Sequence, residues 1–117
     1  MHEYSVAYQI YETLKNVISE REDVKRVRKV SLEIGELTMI NPEQLEFCFR
    51  AIISDDELMS SAELEIEMKK AEVECGRCGR IDEPIMGIFI CPKCGGTLKI
   101  SGGRDLIIKS VDLEVES

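Results

Sequence analysis

Residues 29–35, KVSLEIG, alternate without a break: Val30, Leu32 and Ile34 share one face, Lys29, Ser31 and Glu33 the other, and Gly35 ends the run. A period of two marks a strand with one face on a core and the other in water. The pattern returns at Leu64, Ile66 and Met68, set among Glu63, Glu65, Glu67 and Lys69. It returns again at Val111, Leu113 and Val115, set among Asp112, Glu114 and Glu116. Three strands that are apolar on one side only need a cover on that side alone.

Two helices can supply that cover. Residues 4–22 lack Gly and Pro and carry Val6, Ala7, Ile10, Leu14, Val17 and Ile18 at helical spacing. A second face carries Tyr4, Tyr8, Tyr11 and Lys15, read as ordinary packing with hydroxyls at the rim or as a partner surface. Asn41 and Pro42 form a helix start, a capping oxygen followed by a residue with no N–H to lose, and Glu43 suits the positive end of the dipole. This helix is expected to reach about Ser54, with Leu45, Cys48, Phe49, Ile52 and Ile53 on its buried stripe. Cys48 is then an inert core thiol and not a fifth ligand.

The expected fold is α+β: two helices on one face of a small, about three-stranded mixed sheet. The helix at 41–54 is long enough for a crossover, which makes the first two strands parallel if they share a sheet. The other sheet face is expected to be strongly acidic and to lie in solvent.

Between the last two strands lie two knuckles, Cys75-Gly-Arg-Cys78 and Cys91-Pro-Lys-Cys94, with twelve residues between them. Such turns set two sulfurs on one side of a tight loop, where backbone N–H groups point at the thiolates. Two of them close a tetrahedron, and Gly79 and Gly95 follow at positions that ease the turn. The four-thiolate site is expected to hold Zn(II), with no coordination position left open, so its role is structural. Iron in a rubredoxin-like electron carrier is the competing reading, although Phe89 is the only aromatic residue of the segment. The apolar residues there, chiefly Ile81, Ile85, Met86, Ile88, Phe89 and Ile90, are too few to fold the segment without metal. The expected division is a zinc-ribbon-like unit at 71–103 inserted into a helix–sheet unit made of 1–70 plus 104–117, with Gly102 and Gly103 at the exit.

Composition limits the function classes. A net charge of −8 over 117 residues disfavours a nucleic-acid backbone as partner. No apolar run approaches the length of about 18 residues that would suggest a membrane helix. The start at His2 and Glu3 lacks the basic-then-apolar pattern of a secretory leader. Five cysteines, four of them in CxxC pairs, suit metal chemistry in a reducing cytoplasm better than a disulfide framework. No nucleophile motif, second histidine or phosphate-binding loop supports an enzyme.

The single histidine is residue two. A terminal amine, a backbone amide and an imidazole so close together form a nitrogen chelate suited to square-planar Ni(II) or Cu(II), with Glu3 nitrogen or a side chain at the fourth position. The bland alternative is a frayed surface residue.

The start Met1-His2-Glu3, a helix, a strand ending in Ile34-Gly35-Glu36, a second helix, and two CxxC knuckles before a final strand together resemble the HypA family of nickel metallochaperones. The resemblance covers essentially the whole chain. It implies Ni(II) held by Met1 and His2 with backbone nitrogens of His2 and Glu3, the Glu3 carboxylate tuning the site, and zinc at Cys75, Cys78, Cys91 and Cys94. It further implies delivery of nickel to a [NiFe]-hydrogenase large subunit precursor with a HypB-type GTPase, and urease as the lesser acceptor. A homodimer is a further partner that periodicity leaves open. Against this stand a zinc-ribbon adaptor that moves no nickel and, less favoured, the rubredoxin-like carrier.

Overall fold

The computed structural model describes residues 2–81, 90, 91 and 93–116. Helix α1 spans Glu3–Ser19, strand β1 Val24–Gly35, a 3-10 turn Glu36–Thr38, α2 Pro42–Ile53, β2 Glu63–Lys69, β3 Glu72–Cys75, β4 Gly79–Ile81, β5 Leu98–Ser101 and β6 Leu106–Val115. Two three-stranded sheets result, ordered β2-β1-β6 and β4-β3-β5. In the first, β2 runs parallel to β1 from Lys29↔Glu63 to Gly35↔Lys69, and β6 runs antiparallel. The parallel pair is the one joined through α2, as expected of a crossover, and the sheet is mixed.

Strand β1 starts at Val24, five residues before the clean alternation. The register against β6 shifts between Val24 and Arg26 and again between Val27 and Lys29. Bulges of this kind put Val27 and Val30, three residues apart, both fully inside. A third shift, at Ser31/Leu32, hides the start of β6 in the same way: Ile108 faces Leu32 while Ser110 faces Ser31, so Lys109 is the extra residue.

The stripes of α1 and α2 pack on one face of this sheet, where Leu14, Leu32, Ile34, Leu45 and Phe49 are among the largest fully buried side chains. Helix α1 ends at Ser19, short of residue 22, and Arg21 pairs with Asp23 in the turn that follows. Val17 lies at the edge of the stripe and is 45% exposed, while Cys48 and Ile52 are half-buried against the core. Met68, at the end of edge strand β2, is also largely outside. The tyrosine face is mixed: Tyr4 and Tyr8 are exposed, whereas the Tyr11 hydroxyl donates to Asp56 at 2.8 Å and Lys15 sits over its ring.

Asn41 caps α2, its side-chain oxygen accepting the N–H groups of Glu43 at 2.9 Å and Gln44 at 3.2 Å. Asn41→Ala is expected to cost about 1 kcal/mol in urea unfolding. Phe49 has no exposed surface, so Phe49→Ala leaves a cavity at the helix–sheet junction, and a loss of about 3–5 kcal/mol is expected in the same measurement.

The solvent face of the larger sheet is less acidic than the strand pattern suggests. Lys29 pairs with Glu65 at 3.2 Å, Lys69 with Glu67 at 3.4 Å, and Lys109 with Glu67 at 3.2 Å and Glu33 at 3.7 Å; Arg26 bonds Glu114. Lysines and arginines interleave with the carboxylates across strands, and Lys109 bridges Glu33 and Glu67, which face each other.

Both helices begin at the Gly35 end of β1. The first half of α1, through Val6, Gln9 and Ile10, lines a shallow groove with Leu106, Ile107 and Ile108, which pair with the last residues of β1. His2 therefore lies at the end of the sheet where the chain leaves for the cysteine-bearing strands.

Candidate metal centres

Strands β3, β4 and β5 are short and antiparallel, and their apolar cluster consists of Val73, Cys75, Ile81, Cys91 and Leu98, with Ala71 and Ile100 against it. Two of these five buried residues are cysteines. Ile90 is 54% exposed and adds nothing to that cluster, while Ile85, Met86, Ile88 and Phe89 lie outside the described residues. Among the described residues this cluster is small, and a metal at the sulfurs would help offset the entropy of ordering its chain.

The four sulfurs of Cys75, Cys78, Cys91 and Cys94 lie within 4.8 Å of one another, and Cys75 and Cys94 approach to 3.5 Å. All four are free thiols. A tetrahedron with metal–sulfur bonds of about 2.3 Å sets its sulfurs about 3.8 Å apart, so closing the cluster on a four-thiolate metal would need shifts of no more than about 1 Å. Cys75 and Cys91 are buried and Cys78 and Cys94 exposed, one inner and one outer member from each knuckle.

The knuckle turn supplies the electrostatics. The backbone N–H groups of Cys78 and Arg77 point at the Cys75 sulfur and hold its pKa down to about 6, while the sulfurs of Cys94 and Cys91 push the Cys78 thiol up to about 12. The Cys75 thiolate is stabilised by backbone, while the Cys78 and Cys94 thiols are held against ionising by the neighbouring sulfurs. Metal uptake here therefore releases protons. Gly79 and Gly95 take positive φ, +79° and +74°, as the spacing of the knuckles led one to expect. Gly96 was not legible in that way: a Cβ there would lie 3.3 Å from the Cys94 sulfur and 3.9 Å from that of Cys75. Its signal is the Gly-Gly pair, which reads as a turn and not as clearance beside a metal.

At the other end, Met1 lies outside the described residues. His2 is exposed and extended, with φ −84° and ψ 127°, and its side chain makes no capping bond to α1. Its carbonyl accepts the Val6 N–H at 3.2 Å, the first turn of the helix. The first N–H groups of a helix have no partner within it, so the amides of His2 and Glu3 are not needed to hold α1 together. Glu3 is half-buried in the first turn. Among the described residues, no helix is long and apolar enough to cross a membrane.

The family model described as hydrogenase/urease nickel incorporation, metallochaperone, hypA matches residues 1–113. The chain belongs to the HypA family. Proteins called hydrogenase maturation factor HypA are similar to it over their full length: that of Methanosarcina barkeri is 35% identical, with 100% of this chain and 98% of the relative covered. That of Archaeoglobus fulgidus is 40% identical, with 98% and 100% covered. The solution structure of the Ni metallochaperone HypA from Helicobacter pylori superposes with a TM-score of 0.67 at 22% identity, covering 99% of this chain and 100% of that one, a likeness of fold. The chain is thus a HypA-family member whose four convergent thiols form a site able to hold a structural metal.

Proposed function

We propose that this HypA-family chain is a nickel carrier, not an enzyme: it takes up Ni(II) at its N-terminus and hands it over during assembly of the [NiFe]-hydrogenase active site. The observation that carries this reading is His2, the sole histidine, exposed just ahead of α1 with its imidazole outside the helix cap and two adjoining amides free of helix bonding. The ligands are the Met1 amine, the His2 imidazole and the backbone nitrogens of His2 and Glu3, a planar nitrogen set suited to Ni(II).

The helix end contributes chemistry of its own. A bare cation is disfavoured at the positive end of a helix dipole, but deprotonated amides are favoured there. Ni(II) bound to two amide anions brings no net charge to that end, and the Glu3 carboxylate in the first turn is itself favoured there. Because binding displaces protons from amine, imidazole and amides, affinity falls as pH falls, and a competing ligand or a small acidification releases the metal. A site at the chain end can be approached by an acceptor without disturbing the core.

Cys75, Cys78, Cys91 and Cys94 hold Zn(II), which closes the two knuckles into one structural cage. Residues 71–103 act as the zinc unit and 1–70 plus 104–117 as the nickel unit, working in the cytoplasm with a HypB-type GTPase and the hydrogenase large subunit precursor. The test is complementation. A methanogen strain lacking its own HypA regains hydrogenase activity with this chain, loses it with His2→Ala, and recovers it in part when the medium is supplemented with excess nickel. Rescue by His2→Ala equal to the native chain would reduce the protein to a zinc-stabilised adaptor.

A further inference from the structure

The segments that lead to and from the cysteine-bearing sheet meet the 3-10 turn at a single crossing. The Leu37 N–H donates to the Gly103 carbonyl at 2.7 Å, and the Gly35 N–H to the Asp105 carbonyl at 2.8 Å. The Ala71 N–H, on the outgoing segment, donates to the Glu36 carboxylate at 2.8 Å. No side chain fits between these backbones. A Cβ on Gly103 would lie 2.8 Å from the Cα of Ala71, and one on Gly35 2.2 Å from the carbonyl carbon of Gly103. Gly103 also sits at φ +73°, where other residues are strained.

A Gly-Gly linker left to itself is flexible and would let the small sheet reorient freely. Here Gly103 itself and Asp105 just beyond it are bonded to the Gly35–Leu37 segment. The returning chain is tied by two backbone hydrogen bonds and the outgoing chain by a charge-assisted one, and the two chains touch each other at Ala71 and Gly103. Two connections fixed at two separate points resist both bending and twisting, which a single tether cannot do.

We propose that this crossing is a rigid joint that sets the direction in which the four-cysteine sheet projects from the helix–sheet unit, with Glu36 as its positioning residue. The joint stands on geometry alone and does not depend on which metal binds at His2. One consequence does rest on the nickel reading: His2 lies at the same end of the sheet, so an acceptor that approaches it meets the cysteine unit in one fixed orientation.

The test is the alignment of the two sheets in solution, read from amide residual dipolar couplings of the full-length, zinc-loaded chain in a weakly aligning medium. Amides of β1, β2 and β6 and those of β3 and β5 fit one alignment tensor in the native protein. With Glu36→Ala the two sets need separate tensors, and the couplings of β3 and β5 shrink, while the shifts of Val73 and Leu98 show that the small sheet persists. Glu36→Gln keeps a carbonyl oxygen for the Ala71 N–H and restores one tensor. Should Glu36→Ala lose the small sheet's shifts, Gly103→Ala leaves the carboxylate in place, forces the chains apart, and decides by the same criterion. Two tensors in the native chain, one tensor in the joint-breaking variant, or no restoration by Glu36→Gln overturns the proposal.

Discussion

His2→Ala lowers Ni(II) affinity by more than about 100-fold and leaves the thermal midpoint where it was. The size follows from removing a ligand, since loss of groups that only support a ligand already costs about 10–100-fold in metal affinity. The unchanged midpoint follows from position: His2 is exposed, makes no side-chain cap, and contributes only its carbonyl to α1, which alanine retains. Glu3→Ala separates ligand from tuning roles. It removes the carboxylate and keeps the backbone nitrogen, so affinity changes by less than about tenfold, well short of the loss on removing a ligand. Competition against a chelator of known affinity, with calorimetric scans of the same samples, reads both quantities. Nickel affinity unchanged in His2→Ala, or a midpoint that falls with it, would show that the histidine serves the fold or nothing.

Removing the metal from the cysteine cage, by chelation or through Cys75→Ser, is expected to dissolve β3, β4 and β5 first. Among the described residues, the apolar cluster of that sheet counts two of the proposed ligand cysteines among its five buried members, so the sheet is expected to loosen once the sulfurs are uncoupled. Structural zinc contributes about 10–16 kcal/mol in small modules of this kind, far more than Val73, Ile81 and Leu98 can supply by burial. The larger core shares no residue with that cluster. Amide exchange is the measurement: protection vanishes across 72–75 and 98–101 while Leu14, Leu32 and Phe49 stay protected. Simultaneous loss of protection in both sheets would mean that the two clusters fold as one.

How much of this was readable in the residues depends on whether the local period survives. Lys29–Gly35 and Glu63–Lys69 pair without a slip; there alternation gave the strands and, Met68 apart, their faces, and the crossover helix gave the parallel pairing. Where β1 and β6 bulge, core-facing positions fall three apart, at the buried Val27 and Val30 or the half-buried Ile108 and Val111, and a period of two cannot find them. The knuckles were legible because ligand spacing is a local property, and the structure brings all four sulfurs together. Glu36 and Gly103 were not, because their roles are defined by segments distant in sequence, Ala71 and the Gly35 turn; Gly96 was not, because a Gly-Gly pair reads as a turn and hides its closeness to the Cys94 and Cys75 sulfurs. The partial pairing of charge on the sheet face has the same origin, since each strand reads as acidic until Lys29 and Lys109 are placed beside Glu65 and Glu67.

The most direct test of the nickel reading is a chelator-competed Ni(II) titration of the zinc-loaded chain starting at a native Met1, set against the same chain with one residue added before it. The account predicts tight one-to-one binding with a square-planar absorbance spectrum in the first and its loss in the second, because the added peptide bond consumes the terminal amine and moves the imidazole out of register. Equal binding by the two chains, or none by either, would contradict it.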